Sequence, residues 1–309
     1  MFAPGGRNAL KPRLWIRTGV LALLPMLASG CMSIKTTRDV KKEEIHPQME
    51  ASEDQLVARY NLQARAVQTL QATVDLVPST GSTYSGVIEQ YHDVPGFILA
   101  RRPATVRVIG QAPVVAKNIF DMVSDGETFR IYIPSKNTFL VGSTSLIRAS
   151  KKPIENLRPQ HVVDALFWPE LPAGAHVLFE QFDVDPNRYY ILTLLREAAG
   201  GNLEIARKIW FDRVDLGVSR VQLYGAAGRL DSDIVYSDWQ PIVAGSAPTT
   251  AGNYPRDIRI WRPQDDYKLE IRILKLTVNE EITADRFELD QPPGTELVRV
   301  AEEQAGVQP

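Results

Sequence analysis

The fold is most readily inferred from one segment, Met122-Val-Ser-Asp-Gly-Glu-Thr-Phe-Arg-Ile-Tyr-Ile-Pro-Ser-Lys-Asn-Thr-Phe-Leu-Val141. Its Ser124-Asp-Gly126 separates two apolar runs, and Asp and Gly adopt the backbone angles that tight hairpin turns require. In the second run, Arg130-Ile-Tyr-Ile133 alternates, as expected for a strand with one buried face and one wet face. The segment therefore predicts short antiparallel strands joined by tight turns.

The same pattern continues along most of the chain, as short runs rich in Val, Ile, Phe and Tyr between turn residues. So many evenly spaced strands argue against an α/β protein, and a long antiparallel sheet must curl or close to hide its apolar face. We therefore expect a mainly β fold, an unclosed antiparallel barrel or strongly curved sheet. Strands are predicted at residues 71–78, 84–93, 96–102, 104–111, 118–124, 128–134, 137–143, 176–184, 188–196, 203–213, 217–225, 233–241, 256–263 and 267–278.

Two segments have helical rather than strand spacing. From about Ser52 to Ala72, apolar residues recur three and four apart, which predicts a helix that packs on the core. Pro153–Phe167 is rich in Ile, Leu and Val, and we expect Pro159 to begin a second helical turn within it, because proline suits a first helical position. We expect this second helix to cover the open mouth of the sheet. Ala244–Tyr254 has the Gly, Ser, Pro and Asn content of a projecting loop.

Residues 1–30 have the order of an export signal, with basic residues first and an apolar run, 19–27, after them. That run is too short for a helix that spans a bilayer, which takes roughly 20 apolar residues. Leu27-Ala-Ser-Gly-Cys31 is similar to a lipobox, and it predicts acylation of Cys31, for example with palmitate. The alternative is an ordinary cleavable signal followed by an incidental cysteine.

Charge and cysteine content narrow the possible partners. Cys31 is the only cysteine, so the chain forms no internal disulfide and its stability must come from a core. Loss of residues 1–30, which hold four basic and no acidic residues, changes the formal net charge from −2 to −6. This mild acidity indicates no nucleic-acid partner. We divide the chain into a signal peptide (1–30), a polar tether (31–51), one domain (52–293) and a flexible C-terminal tail (294–309).

No motif in the sequence indicates catalysis. The histidines share no metal-ligand spacing, and we expect all of them at the surface or in turns. The carboxylate pairs lie beside turn residues, where acidic side chains commonly initiate turns. We therefore expect no catalytic, cofactor-binding or metal-binding residue, and an envelope hydrolase is the least favoured hypothesis. The histidines are His46, His92, His161 and His176.

Three segments together resemble the lipoprotein-localisation family of LolA and LolB. They are Gly96-Phe-Ile-Leu-Ala-Arg-Arg-Pro103 with the run after it, residues 122–141, and Arg286-Phe-Glu-Leu-Asp-Gln-Pro-Pro-Gly-Thr-Glu-Leu-Val298. The likeness covers most of residues 52–145 and 267–298. It implies an unclosed barrel of about eleven strands with a helical lid over an apolar cavity.

The resemblance also implies roles for particular residues. Arg102 matches the arginine that contacts the lid in the lipoprotein carriers, although a solvated arginine is an equal alternative. The inner side of the sheet would bind acyl chains, whose methylenes each gain about 0.8 kcal/mol on burial. Each candidate wall residue could instead face a filled core. These residues are Ile98, Val106, Val108, Phe120, Phe129, Ile131, Leu178, Ile191, Leu194 and Leu223.

Two further features bear on the membrane. The anchored member of that family has a protruding apolar loop, and Gln111-Ala-Pro-Val-Val-Ala116 is comparable, although we favour a strand edge there. Met32 and Ser33, rather than aspartate, follow Cys31, which favours an outer-membrane protein that faces the periplasm. We thus expect a non-enzymatic, lipid-anchored protein that binds the acyl chains of a lipid or lipoprotein, in lipoprotein sorting or lipid transfer. The alternative is a structural or regulatory envelope lipoprotein that binds a protein partner.

Overall fold

The computed structural model describes residues 48–82, 87–90, 93–145, 158–184, 187–198, 200–242 and 252–300. The predicted signal peptide, Cys31 and most of the predicted tether lie outside these residues. So do His46, His92, most of the predicted loop at 244–254, and the last nine residues of the predicted tail.

All described strands belong to one sheet of fifteen strands. Its order is β15-β7-β6-β5-β4-β3-β1-β14-β13-β12-β11-β10-β9-β8, and β2 pairs with β1. Every pairing is antiparallel except that of β15 with β7. The strands are β1 (Thr69–Ser82), β2 (Val87–Gln90), β3 (Val94–Arg101), β4 (Thr105–Gln111), β5 (Asn118–Ser124), β6 (Thr128–Ile133), β7 (Thr138–Ser143), β8 (Val177–Val184), β9 (Asn187–Glu197), β10 (Leu203–Asp212), β11 (Val218–Tyr224), β12 (Leu230–Pro241), β13 (Asn253–Arg262), β14 (Tyr267–Val278) and β15 (Glu296–Val300).

The sheet is curved and does not close, since its terminal strands β15 and β8 do not pair with each other. Alternation sets its two faces: in β4, Val106 and Val108 are buried while Arg107 points to the other side. The inner side chains of both halves join two helices in one contiguous core. The predicted fold class, a mainly β unclosed antiparallel sheet, is confirmed, and it has fifteen strands instead of about eleven.

A second, smaller core lies on the outer face of β3 to β7. Leu99 and Val123 from the sheet pack there against Phe287 and Leu289 from the segment after β14. Arg107 on this face donates to both carboxylate oxygens of Asp121, at 3.0 and 2.7 Å. This part of the sheet is therefore covered on both faces.

Helix α1 (Glu53–Ala66) begins with a capping box formed by Ser52 and Gln55. It buries Leu56, Tyr60 and Ala64 against the inner face. The predicted helix, which extended to Ala72, was too long: the chain becomes extended at Val67. The run that follows is rich in β-branched residues, which fit a strand better than a helix.

Two segments expected to be irregular are strands. Glu296–Val300, placed in the flexible tail, pairs in parallel with β7, and Asn137 holds its start by accepting from Glu296 N at 2.9 Å. The strand was not predicted because its run of residues is short and contains charged residues beside the apolar ones. Asn253 and Tyr254, placed in a loop, begin β13. Among the described helices, none has the length and apolarity that a bilayer crossing would take.

Candidate functional site

The inner face of the sheet is covered by one short segment, residues 159–171, which we call the cover. It consists of helix α2 (Pro159–Leu166) and the extended residues after it, and Pro159, predicted to begin a second turn, lies in the first turn. Pro169 favours extended backbone in the residue before it, which suits a helix that ends by Leu166. α2 packs against β4 and β5. The large buried apolar side chains of the cover are Val162, Val163, Leu166, Phe167, Trp168 and Leu171.

Two buried tyrosines bind the backbone of the cover. Tyr236 Oη donates to the carbonyl of Ala165 at 3.0 Å and accepts from Trp168 Nε1 at 2.8 Å. Tyr254 Oη donates to the carbonyl of Leu166 at 2.9 Å. Burial raises the pKa of both phenols, so both remain protonated donors. They satisfy carbonyls that the end of α2 would otherwise leave without partners.

Arg102 links α1 to the cover. Its Nε donates to the carbonyl of Val67 at 2.9 Å, and its Nη2 donates to the carbonyls of Ala64 at 2.5 Å and Trp168 at 3.0 Å. The guanidinium carbon lies 4.9 Å from the centre of the Phe167 ring. Burial lowers the pKa of Arg102, but the group stays charged and suits the negative end of the α1 dipole. The residue thus contacts the cover and is half-buried.

Asn61 gives α1 a second bond to the cover. Its amide donates to the carbonyl of Leu171 at 3.1 Å and accepts from Leu171 N at 2.8 Å. The Tyr60 and Trp168 rings stack beside this pair, with centroids 5.8 Å apart. The C-terminal end of the cover is therefore held by the hydrogen bonds between Asn61 and Leu171 and by the packing of Trp168 on Tyr60.

Two titratable groups lie on α2. His161 is buried, a correction to the expected surface position, and its Nδ1 lies 3.0 Å from Tyr267 Oη. Burial and two nearby arginines keep the pKa of His161 well below its usual value, so the imidazole is neutral. Burial raises the pKa of Asp164 to about 6. His176 is exposed, and no group of metal-ligating residues occurs within the described ranges.

An open pocket of about 310 Å³ adjoins the cover on the α1 side. Trp168, Trp239, Phe211 and Val218 form much of its wall, and Arg59 and Gln63 lie among its polar lining residues. Its volume is at the lower limit of small-ligand pockets, which is about 300 Å³. It has room for one small apolar group, and not for a molecule with several acyl chains.

The predicted wall residues divide into three groups. Five are fully buried in the packed core: Ile98, Val106, Val108, Phe129 and Ile131. Ile191 is also buried, but it alternates with Tyr190 and Leu192 of that core and therefore lies on the outer face of β9. Phe120, Leu194 and Leu223 are partly buried against the same core. Leu178 is 57% exposed, and because its neighbour Val177 packs on the core, Leu178 lies on the opposite face of β8. The interior is therefore filled by the cover and α1.

The apolar segment Gln111–Ala116, compared above with the protruding loop of the anchored family member, ends in a loop tip. It joins β4 to β5, and its Val114 is 94% exposed and its Val115 62% exposed. The favoured expectation, a strand edge, was therefore wrong for residues 112–116 and holds only for Gln111.

Sequence reasoning missed the groups that bind the cover. Trp168, Tyr236, Tyr254 and Asn61 were not selected, because each belongs to a different element and no spacing relates them. One signal was available: Tyr236 occupies an inward position of an alternating strand, where a phenol needs a hydrogen-bond partner. The partner itself comes from the fold.

Comparisons with known proteins complete the description. No family model matches the sequence, and no curated protein does. Among solved structures, a DUF1329 family protein from Desulfovibrio piger aligns with a TM-score of 0.49 and 15% identity over 75% of this chain and 94% of that chain. A LolA superfamily protein from Nitrosomonas europaea aligns with a TM-score of 0.47 and 10% identity over 78% and 99%.

A domain assigned to outer membrane lipoprotein sorting, from Vibrio parahaemolyticus, aligns with a TM-score of 0.44 and 8% identity over 75% and 94%. With TM-scores below 0.5, the alignments say nothing about what the present chain binds.

Proposed function

We propose that this chain is a lipid-anchored envelope protein, facing the periplasm, that binds the acyl chains of a lipid or lipoprotein on the inner face of its sheet. In this proposal the cover occupies the acyl site and must be displaced. Cys31 carries the anchor, probed by labelling with a palmitate analogue that Cys31→Ser abolishes. No catalytic step is involved.

The supporting observation is how the cover is held. Its large side chains contribute mainly apolar burial, and its polar side-chain contacts include those of Trp168 with Tyr236 and of His161 with Tyr267. Its backbone is bound by a few side chains from separate elements: Tyr236, Tyr254, Asn61 and Arg102. A segment held in this way can leave as a unit once those bonds break. The inner face that it would expose is lined by Val, Ile and Phe.

Magnitudes favour a ligand with at least two chains. The six large apolar side chains of the cover contribute roughly 1.5–3 kcal/mol each when buried. An acyl chain of about fifteen methylenes gains about 0.8 kcal/mol for each methylene. One chain therefore roughly balances the cover, and two chains outweigh it. We expect a diacyl lipid to bind much more tightly than a free fatty acid.

The test is binding of dipalmitoyl phosphatidylglycerol and of palmitic acid to the unlipidated Cys31→Ser chain, followed by native mass spectrometry. Tyr236→Phe and Tyr254→Phe keep the apolar wall but weaken the cover, and each lost hydrogen bond is worth about 1 kcal/mol. Because more of the protein is then open, Tyr254→Phe, which loses one bond to the cover, should bind the diacyl lipid about fivefold more tightly. Tyr236→Phe loses two bonds and should bind it about thirtyfold more tightly. Tyr189→Phe, on the outer face beside Trp210, is the matched control.

Two results would speak against the proposal. One is absence of diacyl lipid binding to the parent and to both tyrosine variants, which would leave the alternative of an envelope protein that binds a protein partner. The other is binding that the tyrosine variants and Tyr189→Phe change equally, since the cover would then not control access.

In this proposal Arg102 acts in the release of the lipid, and the loop tip acts in its transfer to a membrane. Arg102→Leu removes the hydrogen bond from Arg102 to Trp168, which forms only when the cover is in place. It should therefore favour the open, lipid-bound form and slow lipid release, measured by transfer to acceptor vesicles. In this proposal the exposed Val114 and Val115 enter a membrane, and Val114→Glu should slow that transfer without changing lipid affinity. Equal transfer rates for parent and variant would remove the corresponding role.

A further inference from the structure

The β8 edge, residues Val177–Val184, is one of the two ends of the sheet whose outward backbone groups have no strand partner among the described residues. Among the described strands, β8 pairs with β9 alone. The carbonyl of His176, just before β8, accepts from Leu195 N of β9 at 2.9 Å. Because these groups alternate in direction along a strand, the backbone N–H and C=O of Phe179 and Gln181 point away from β9. The edge thus presents a row of free donors and acceptors.

This edge lacks the features that usually prevent strand addition. Such features are short length, proline, lysine and bulges, and β8 has eight residues, no proline or lysine, and an unbroken register with β9. The other terminal strand, β15, has five residues and includes Arg299. β8 also exposes large apolar side chains, Leu178, Phe179, Phe182 and Val184.

The acidic residues of β8 are already engaged within the chain. Lys208 Nζ lies 3.6 Å from Glu180 Oε1, and Arg213 Nη1 lies 3.4 Å from Asp183 Oδ1. Both partners belong to β10 or the residue after it. An added strand therefore does not need to bring basic groups, and an uncharged, apolar strand suits this edge.

We propose that β8 pairs antiparallel with β8 of a second copy of this chain, about a two-fold axis at Gln181. Residues opposite each other across such an axis share a face, so their numbers are both odd or both even. Centred on Gln181, the pairing sets Leu178 against Val184 and Glu180 against Phe182 of the second copy. Centred on Glu180, it would set two carboxylates directly opposite, which is destabilising. The first register is therefore the one proposed.

A membrane suits this edge less well than a strand does. Unpaired backbone groups cannot be satisfied in the hydrocarbon of a bilayer, where open sheet edges do not occur. A second β8 satisfies them and covers apolar side chains on both faces. The contact is a single strand pair about 27 Å long, and we expect it to bury less area than a standard protein–protein interface. The expected dissociation constant is therefore in the micromolar range.

The first test uses the full-length Cys31→Ser chain, so that any introduced cysteine is unique. Sedimentation velocity over a concentration series should show a monomer–dimer equilibrium. Gln181→Cys should form a disulfide across the two-fold axis, since opposed Cα atoms lie about 5.5 Å apart. Arg299→Cys, exposed on β15 at the other end of the sheet, is the matched control. A monomer at all concentrations, or equal crosslinking at the two sites, would overturn the proposal.

The second test weakens the pairing without touching β9. Gln181→Pro removes an N–H that faces outward, and edge strands tolerate proline; loss of two symmetric hydrogen bonds should weaken the dimer about tenfold or more. If this variant does not fold, Gln181→Lys sets two positive charges opposite and should weaken the dimer about fivefold, with recovery at high salt. A dimer insensitive to the folded variants, or a monomer that binds vesicles through β8, contradicts the inference.

Discussion

The two ends of the sheet are built differently. Strands β3 to β7 are covered on the inner face by α2 and on the outer face by the segment around Phe287, and β15 adds to their edge. Strands β8 to β10 have exposed aromatic and aliphatic side chains, and their edge is unpaired among the described strands. Alternating apolar residues are thus buried on both faces at one end of the sheet, where they stabilise the fold. At the other end some of them stay exposed and are available for contacts.

The largest difference in stability between the two ends should appear when one phenylalanine at each end is replaced by alanine. Phe129 is fully buried at the covered end, and Phe182 at the open end is 42% exposed. Phe129→Ala should lower the free energy of unfolding by about 3–5 kcal/mol, because it leaves a cavity that the packed core cannot fill. Phe182→Ala should cost about 1 kcal/mol or less. Urea denaturation measures the free energy of unfolding of both variants. Similar losses of this free energy would mean that side chains at the two ends contribute equally to stability.

Ion pairs give the second contrast. Arg107→Met at the covered end leaves the buried Asp121 without its bidentate partner and should cost about 3 kcal/mol. Lys208→Met at the open end removes an exposed contact to Glu180 and should cost about 0.5 kcal/mol or less. Double-mutant cycles with Asp121→Asn and Glu180→Gln separate each pair from its surroundings. A coupling energy at the open end as large as that at the covered end would contradict the contrast.

The smallest expected effect concerns the cover itself. Burial raises the pKa of Asp164 from its ordinary value of 3.8 to about 6, so the folded protein holds this proton more tightly than the unfolded chain. Stability should therefore fall as pH rises from about 4 to 6, and stay lower above that range. Asp164 is partly exposed to water, so we expect only about 1 kcal/mol.

Asp164→Asn should abolish that fall. The stability difference between variant and parent should be larger at pH 7.5 than at pH 4, in favour of the variant. Chemical denaturation at the two pH values measures this difference. A difference that is independent of pH would show that Asp164 does not weaken the cover.

Local pattern was enough to predict the strands and the cover helix. Alternation and turn residues located β1 to β14, and apolar content together with Pro159 located α2 within the predicted segment Pro153–Phe167. Each of these signals lies within a few residues of what it specifies. The end of α1, by contrast, depends on the pairing of Leu70 with Val278, more than two hundred residues away. No local window contains that information.

The site was harder to predict for the same reason. The resemblance selected Arg102, but its hydrogen bonds to Ala64 and Trp168 come from elements that meet only in the folded chain. Leu178 was placed among the wall residues because a run of apolar residues does not reveal which face is inner. That the cover fills the inner face is a matter of packing, which composition does not determine.

Hydrogen exchange of the cover, with and without dipalmitoyl phosphatidylglycerol, tests the central claim most directly. We expect the amides of Val162–Leu171 to lose protection when the lipid binds, while those of α1 and β14 stay protected, because only the cover must leave the inner face. Lipid binding that leaves the protection of the cover unchanged would contradict the account.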